Sequence, residues 1–321
     1  MQYISVDIKK FRSSLKDLPF DVYIKLSENH YSHLFSKTSG LDFRRLEKYI
    51  SRGVNELFIK KSDQPNLQKY LENSIHLFSN LENLNLEKKV TLLLTKTEQN
   101  LAQIFSELNL SNETILETEA IIKNYSKIST QNPETLALFL KLISFGDYLY
   151  YHSVCVSVFS ILIAKYLKIQ PDIREKIIGL GGFFHDIGRS QISQEINFSK
   201  DKLDSDQWKK MKDHPKIGLK MLQDASYLPD EVRYIIYQHH ERPDGNGYPN
   251  RLKNDEIYEY AKLISVCDSF SALLSERPFR TGYSAEAAIA LMKSEIGKFD
   301  PQYLTALEEF FIHSASIRSA A

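Results

Sequence analysis

The chain has 321 residues, with 41 basic and 41 acidic side chains and so no formal net charge. That length allows about two domains and at least one sizeable core. The charge balance argues against a nucleic-acid polymer as partner and against a basic membrane face, while leaving room for a local positive site.

Two cysteines, Cys155 and Cys267, are too few and too scattered for a disulfide framework, so a reducing, cytoplasmic setting is expected. The start, MQYISVDIKKFRSSLKD, lacks the apolar centre of a signal peptide. No run reaches the ~18 apolar residues of a spanning helix, so no membrane insertion is expected.

Residues 1–66 read as a small α/β module. FDVYIKLS (20–27) and VNELFIKK (54–61) alternate apolar and polar residues as strands do. Between them, Leu41, Phe43, Leu46, Tyr49 and Ile50 follow helical spacing, with Gly53 placed to cap the helix end. From residue 67 the pattern turns helical, in three amphipathic segments with polar breaks near 80–86 and 110–113. Residues 67–132 are assigned to a helical linker and 133–321 to a helical domain, opened by Asn132-Pro133. The fold class expected is mainly α, with a small α/β module in front. Glycines are sparse until 179–188 and 244–247, so backbone freedom collects beside a group of histidines.

That group carries the chemistry. His152 sits in YYHSVCV, His185 and Asp186 in GLGGFFHDIGRS, and His214 in KDHPKIG. His239 and His240 end PDEVRYIIYQHH, and Asp268 sits in LISVCDSF. Each polar residue is attached to a segment that will be buried. A buried carboxylate costs several kcal/mol or more unless it is paired or bound to a cation. Taken singly, a His-Asp pair is usually structural, and His214 before a proline could simply mark a helix boundary. Jointly, five imidazoles and two carboxylates suit a divalent metal with a mixed nitrogen and oxygen shell. Seven donors exceed one octahedron. With Asp186 bridging, two ions would each receive about four protein donors, an arrangement able to activate water and clamp a phosphoryl group.

These residues resemble a known family. HSVCV (152–156), HDIGR (185–189), DHPKIG (213–218), HHERPDGNGYP (239–249), CDSFSALLSERPFR (267–280) and FDP (299–301) are similar to the motifs of HD-GYP domains, a branch of the HD phosphohydrolases. The long HHExxDGxGYP run carries most of the specificity, and the resemblance spans about 133–305. It implies an all-helical HD-type domain with two or three non-haem iron or manganese ions. It also implies hydrolysis of cyclic di-GMP to linear pGpG, or onward to GMP, by attack of a metal-bridging hydroxide. On this resemblance His152, His185, Asp186, His214, His239, His240 and Asp268 are metal ligands. Glu241 and Asp244 brace the loop, and Tyr248 and Pro249 form a lip beside the substrate. Arg189, Arg277 and Arg280 match cations that hold phosphate, and Asp186 and Arg189 are the residues assigned to catalysis.

Three positions depart from the family pattern. Tyr148 stands one turn before His152, where members with three ions carry Glu, and Asp147 is offset by about 100°, so two ions are expected. Arg189 replaces the lysine of HDIGK and is planar and permanently charged, which suits phosphate binding but not proton donation. Ser271 replaces the second carboxylate of DxxDAL, which removes a charge beside the ligands.

The leading reading is a cyclic di-GMP phosphodiesterase of weak activity. A second is an inactive module that senses cyclic di-GMP or docks a GGDEF-type or other signalling protein through the GYP loop. A third is an HD hydrolase of another cyclic dinucleotide or nucleotide. A homodimer is compatible with each. The N-terminal module lacks a receiver-type acceptor site and a phosphate loop, and a sensory or partner-binding role is expected of it.

Overall fold

The computed structural model describes residues 2–12, 16–27, 30–67, 69–71, 84–106, 110–131, 148–197, 199, 202–275 and 281–319. The chain divides into two compact units, 1–107 and 108–321.

The first unit is built on a four-stranded antiparallel sheet. It contains β1 (Tyr3–Asp7), α1 (Lys9–Arg12), β2 (Val22–Ser27), β3 (His30–Phe35), α2 (Phe43–Ser51), β4 (Glu56–Lys60) and α3 (Leu86–Ser106). The strand order is β1-β4-β2-β3. Alternation turns Val6, Val22, Leu57 and Ile59 into a core shared with Phe43 and Leu46 of α2 and Ala102 of α3. Asp42 caps α2 by accepting the Arg45 N–H, and Gly53, at φ +81°, follows its end in the left-handed conformation. The two strands expected from the sequence are the inner pair. The unexpected ones, β1 and β3, lie at the edges of the sheet.

The second unit is helical among its described residues. After α4 (Asn112–Gln131) comes α5 (Tyr148–Tyr166), buried continuously over residues 152–164. This helix reads apolar on all sides because it is the hub: α4, α6, α11 and α13 all pack on it. A π-helical stretch, Ile173–Gly179, runs into α6 (Leu180–Phe184), followed by a 3₁₀ turn, Ile187–Gln191. Next come α7 (Gln194–Asn197), α8 (Ser205–Lys212), α9 (His214–Met221) and α10 (Asp230–Gln238). The chain closes with α11 (Glu259–Leu274), α12 (Ala285–Ser294) and α13 (Pro301–Ser319). Among the described residues no helix is long and apolar enough to cross a membrane. The expected fold class, a mainly helical chain with a small sheet-containing module in front, is the one found.

Candidate metal centre

The seven histidine and aspartate side chains singled out in the sequence converge in the second unit. They form two groups: Asp186, His214, His239 and His240 in one, and His152, His185 and Asp268 in the other. Within each group the potential ligand atoms lie within 4.8 Å of one another. Asp186 faces both. Its Oδ1 is 3.2 Å from His214 Nε2 and 3.9 Å from His239 Nε2, while its Oδ2 is 3.6 Å from His185 Nε2. Asp268 Oδ1 lies 3.0 Å from His152 Nε2 and 3.8 Å from His185 Nε2.

The helix ends aim these rings. His185 Nδ1 is 2.7 Å from Gly182 O, His214 Nδ1 is 2.8 Å from Met211 O, and His239 Nδ1 is 2.8 Å from Ile236 O. Each carbonyl lies three residues earlier, where a helix runs out of intrahelical N–H partners. One local device, used three times, takes the Nδ1 proton and leaves Nε2 as a lone pair turned inward. The Nδ1 of His152 pairs with Ser271 Oγ at 3.2 Å, across to α11.

Burial sets the protonation states. His152, His214 and His239 are pushed below the ordinary imidazole value chiefly by burial, and His240 to about 3 by burial and the neighbouring His214. For Asp268, burial would raise the carboxyl. The hydrogen bond from His152 and the surrounding imidazoles outweigh it and hold Asp268 well below the usual carboxylate range. In Asp186 burial is likewise overcome, first by Arg189 and then by His185, His214 and His239. Neutral imidazoles beside ionised carboxylates are the forms that bind metal. His185 Nε2 is fully buried and has no hydrogen-bond partner among the described residues, an orphan that a cation would satisfy. The donor set fits divalent metal binding, with imidazole and carboxylate donors mixed.

Arg189 lies beside the centre, and its guanidinium is engaged. Nη1 donates to Asp186 Oδ2 at 2.9 Å and Nε to Asn197 Oδ1 at 3.3 Å. Asn197 also donates to the carbonyls of Arg189 and Ile192, at 2.8 and 2.9 Å, which closes the 3₁₀ turn. Sequence reasoning did not single out Asn197, because its partners are set by that turn and not by a motif. Ser271, noted there as a lost carboxylate, is fully buried and serves as the partner of His152. Tyr148 begins α5, while Asp147, Arg277 and Arg280 lie outside the described residues.

The HHERPDGNGYP loop is tied to the centre through its own backbone. Glu241, almost fully buried, accepts the N–H groups of Asn250 at 2.6 Å and Leu252 at 2.9 Å. Asp244 accepts the Asn246 N–H at 2.9 Å and pairs with Arg242. Gly247 is pressed so close to the preceding turn that a Cβ would lie 2.6 Å from His240 O. Tyr248, joined to Pro249 by a cis peptide, lays its ring on His240 at 4.6 Å and 28°.

Comparison with known proteins agrees with this geometry. The family model described as HD domain matches residues 154–303. The chain is 33% identical over 186 residues to the cyclic di-GMP phosphodiesterase PA4108 of Pseudomonas aeruginosa, covering 58% of this chain and 45% of that protein. It is 34% identical over 148 residues to the cyclic di-GMP phosphodiesterase response regulator RpfG of Xanthomonas campestris, covering 46% of this chain and 39% of that one. To 3'3'-cGAMP-specific phosphodiesterase 3 of Vibrio cholerae it is 32% identical over 159 residues, covering 49% and 34%. The chain thus spans less than half the length of each of these relatives. Among solved structures, Bd1817, an HDG"Y"P protein from Bdellovibrio bacteriovorus, shares the fold with a TM-score of 0.69 at 20% identity, over 97% of this chain and 99% of that one. Residues 154–303 thus match the HD domain family, and the motifs around the centre are similar to those of its HD-GYP branch.

Proposed function

We propose that the chain is a metal-dependent phosphodiesterase that hydrolyses cyclic di-GMP to linear pGpG. The observation that carries this reading is the pair of buried His/Asp groups joined through Asp186. The substrate class is supported by the relatives named cyclic di-GMP phosphodiesterases at 33% and 34% identity. His152, His185 and Asp268 would hold one divalent ion and His214, His239 and His240 a second, with Asp186 shared. Non-haem iron or manganese suits these donors. Bound there, such ions supply an activated water and neutralise charge on a phosphodiester.

The protein's own groups do the rest. Helix-end carbonyls keep the imidazoles oriented without reorganisation. Arg189 fixes one oxygen of Asp186 and adds positive charge beside the phosphate position. Tyr248 and His240 wall one side of the site. Buried free thiols at Cys155 and Cys267 accord with a reducing, cytosolic setting. The N-terminal unit, which holds no comparable His/Asp cluster among its described residues, is assigned a sensory or partner-binding role.

The deciding experiment loads anaerobically purified protein with iron or manganese and identifies the products of cyclic di-GMP. Metal-dependent formation of pGpG is expected. Cyclic di-GMP binding without turnover would replace the enzyme with a sensor. A second reading, hydrolysis of another cyclic dinucleotide, is favoured by the similarity to a 3'3'-cGAMP-specific relative. Relative kcat/KM across a panel of cyclic dinucleotides separates the two.

A further inference from the structure

We propose that Lys212 is a substrate-binding residue that holds the second phosphate of a cyclic dinucleotide, the one that is not cleaved. The proposal rests on the phosphodiesterase reading above and adds a contact that it leaves unassigned.

A cyclic dinucleotide carries two phosphodiesters on opposite sides of its ring. Only one can occupy the His/Asp centre. The other keeps its negative charge outside that centre, where a cation at the mouth would bind it. Arg189 is engaged inward, on Asp186 and Asn197. Lys212 ends α8, two residues before the clustered His214, and is exposed. Its Nζ lies 5.6 Å from the centroid of the Tyr248 ring. That ring is stacked on His240 at 4.6 Å and meets His214 edge-on at 6.4 Å. The ammonium therefore sits one aromatic ring away from two of the clustered histidines. A lysine placed over an aromatic face is held in position by the ring quadrupole while its N–H donors stay available. Among the described residues the Lys212 side chain has no carboxylate within ion-pair distance, so its charge is not already neutralised. A phosphate is the anion this arrangement suits, with Tyr248 as a fixed wall beneath the nucleotide and Lys212 at its rim.

The test compares cyclic di-GMP with bis(4-nitrophenyl) phosphate, a diester with no second phosphate, using the full-length, metal-loaded protein. Lys212→Ala should lower the ratio of kcat/KM for the two substrates about five- to tenfold, mainly through KM for cyclic di-GMP. Lys212→Arg should restore the ratio. Lys210→Ala, which removes an exposed lysine of the same helix, should leave it unchanged. Equal loss on both substrates would overturn the proposal, because Lys212 would then only support Tyr248. So would an unchanged ratio, or an equal effect of Lys210→Ala. If the wild-type protein hydrolyses neither diester, the phosphodiesterase reading fails and calorimetric binding decides the role of Lys212. Weaker binding of cyclic di-GMP by Lys212→Ala, with GMP affinity changed less than about twofold, would sustain the contact, and equal affinities would end it.

Discussion

Gly188 and His214 meet backbone against backbone. A Cβ on Gly188 would overlap the carbonyl of His214 and come within 2.6 Å of the Gly218 nitrogen. The turn that carries His185 and Asp186 thus rests directly on the helix that carries His214, and Asp186 Oδ1 reaches His214 Nε2 at 3.2 Å because nothing separates them. Gly188→Ala must force this contact apart. It should cost about 3 kcal/mol or more in chemical denaturation and reduce metal uptake, since overpacked backbone contacts relax poorly. Wild-type stability and metal content in this variant would show that the contact does not set the site.

The two groups of donors share Asp186 but not Asp268. Asp186→Ala should therefore lose both ions, whereas Asp268→Ala should keep about one, because one group remains complete. Elemental analysis of the two purified variants reads this directly. Two ions retained by Asp186→Ala would remove its bridging role.

Arg189 is the first of the charges that hold the Asp186 carboxyl down against its burial. Without it the carboxyl pKa rises, and a proton competes with metal at a higher pH. Arg189→Ala should shift the acid limb of metal binding upward, and Arg189→Lys should shift it less. Superimposable pH profiles for the three proteins would place Arg189 outside the ligand set's control.

Ser271 Oγ meets His152 Nδ1, whereas helix-end carbonyls meet the Nδ1 atoms of His185, His214 and His239. Ser271→Ala removes this Nδ1 contact and should weaken metal binding about 10- to 100-fold, with the loss confined to the His152 group. Ser271→Thr, which keeps the hydroxyl, should recover much of it. Metal titration of the two variants distinguishes this from a general packing defect.

Acid should destabilise the protein once metal is stripped. His152, His214, His239 and His240 are held below the ordinary imidazole value of 6.5, chiefly by burial. Unfolded, these rings take up protons near that value. Folded, they stay neutral to lower pH, about 3 for His240. Unfolding therefore takes up protons, and stability falls as pH drops below 6.5 toward the folded values. The melting temperature of chelator-treated protein should decline from about pH 7.5 to about pH 5, and His240→Ala should flatten the decline. A melting temperature indifferent to pH over that range would contradict neutral, buried imidazoles.

Which residues gather at the centre was legible before the fold was known. Most of the seven are polar side chains fixed to apolar segments, so folding those segments carries them to the interior, while the resemblance of the HD, HP and HHE runs to HD-GYP motifs brought in the rest, His214 among them. The inner strands and the helix 43–51 were legible because burial on one face imposes a period on the residues. Other features depend on contacts between distant segments. His152 and Ser271 are 119 positions apart, and no spacing announces that one will hold the other. The two groups of side chains around Asp186 come from helices far apart in the chain, and Arg189 is turned onto that carboxylate while also bonding Asn197. The helices 86–106 and 112–131 have the same amphipathic look, yet they fall in different compact units, because an apolar stripe declares that it will be covered without naming the surface that covers it.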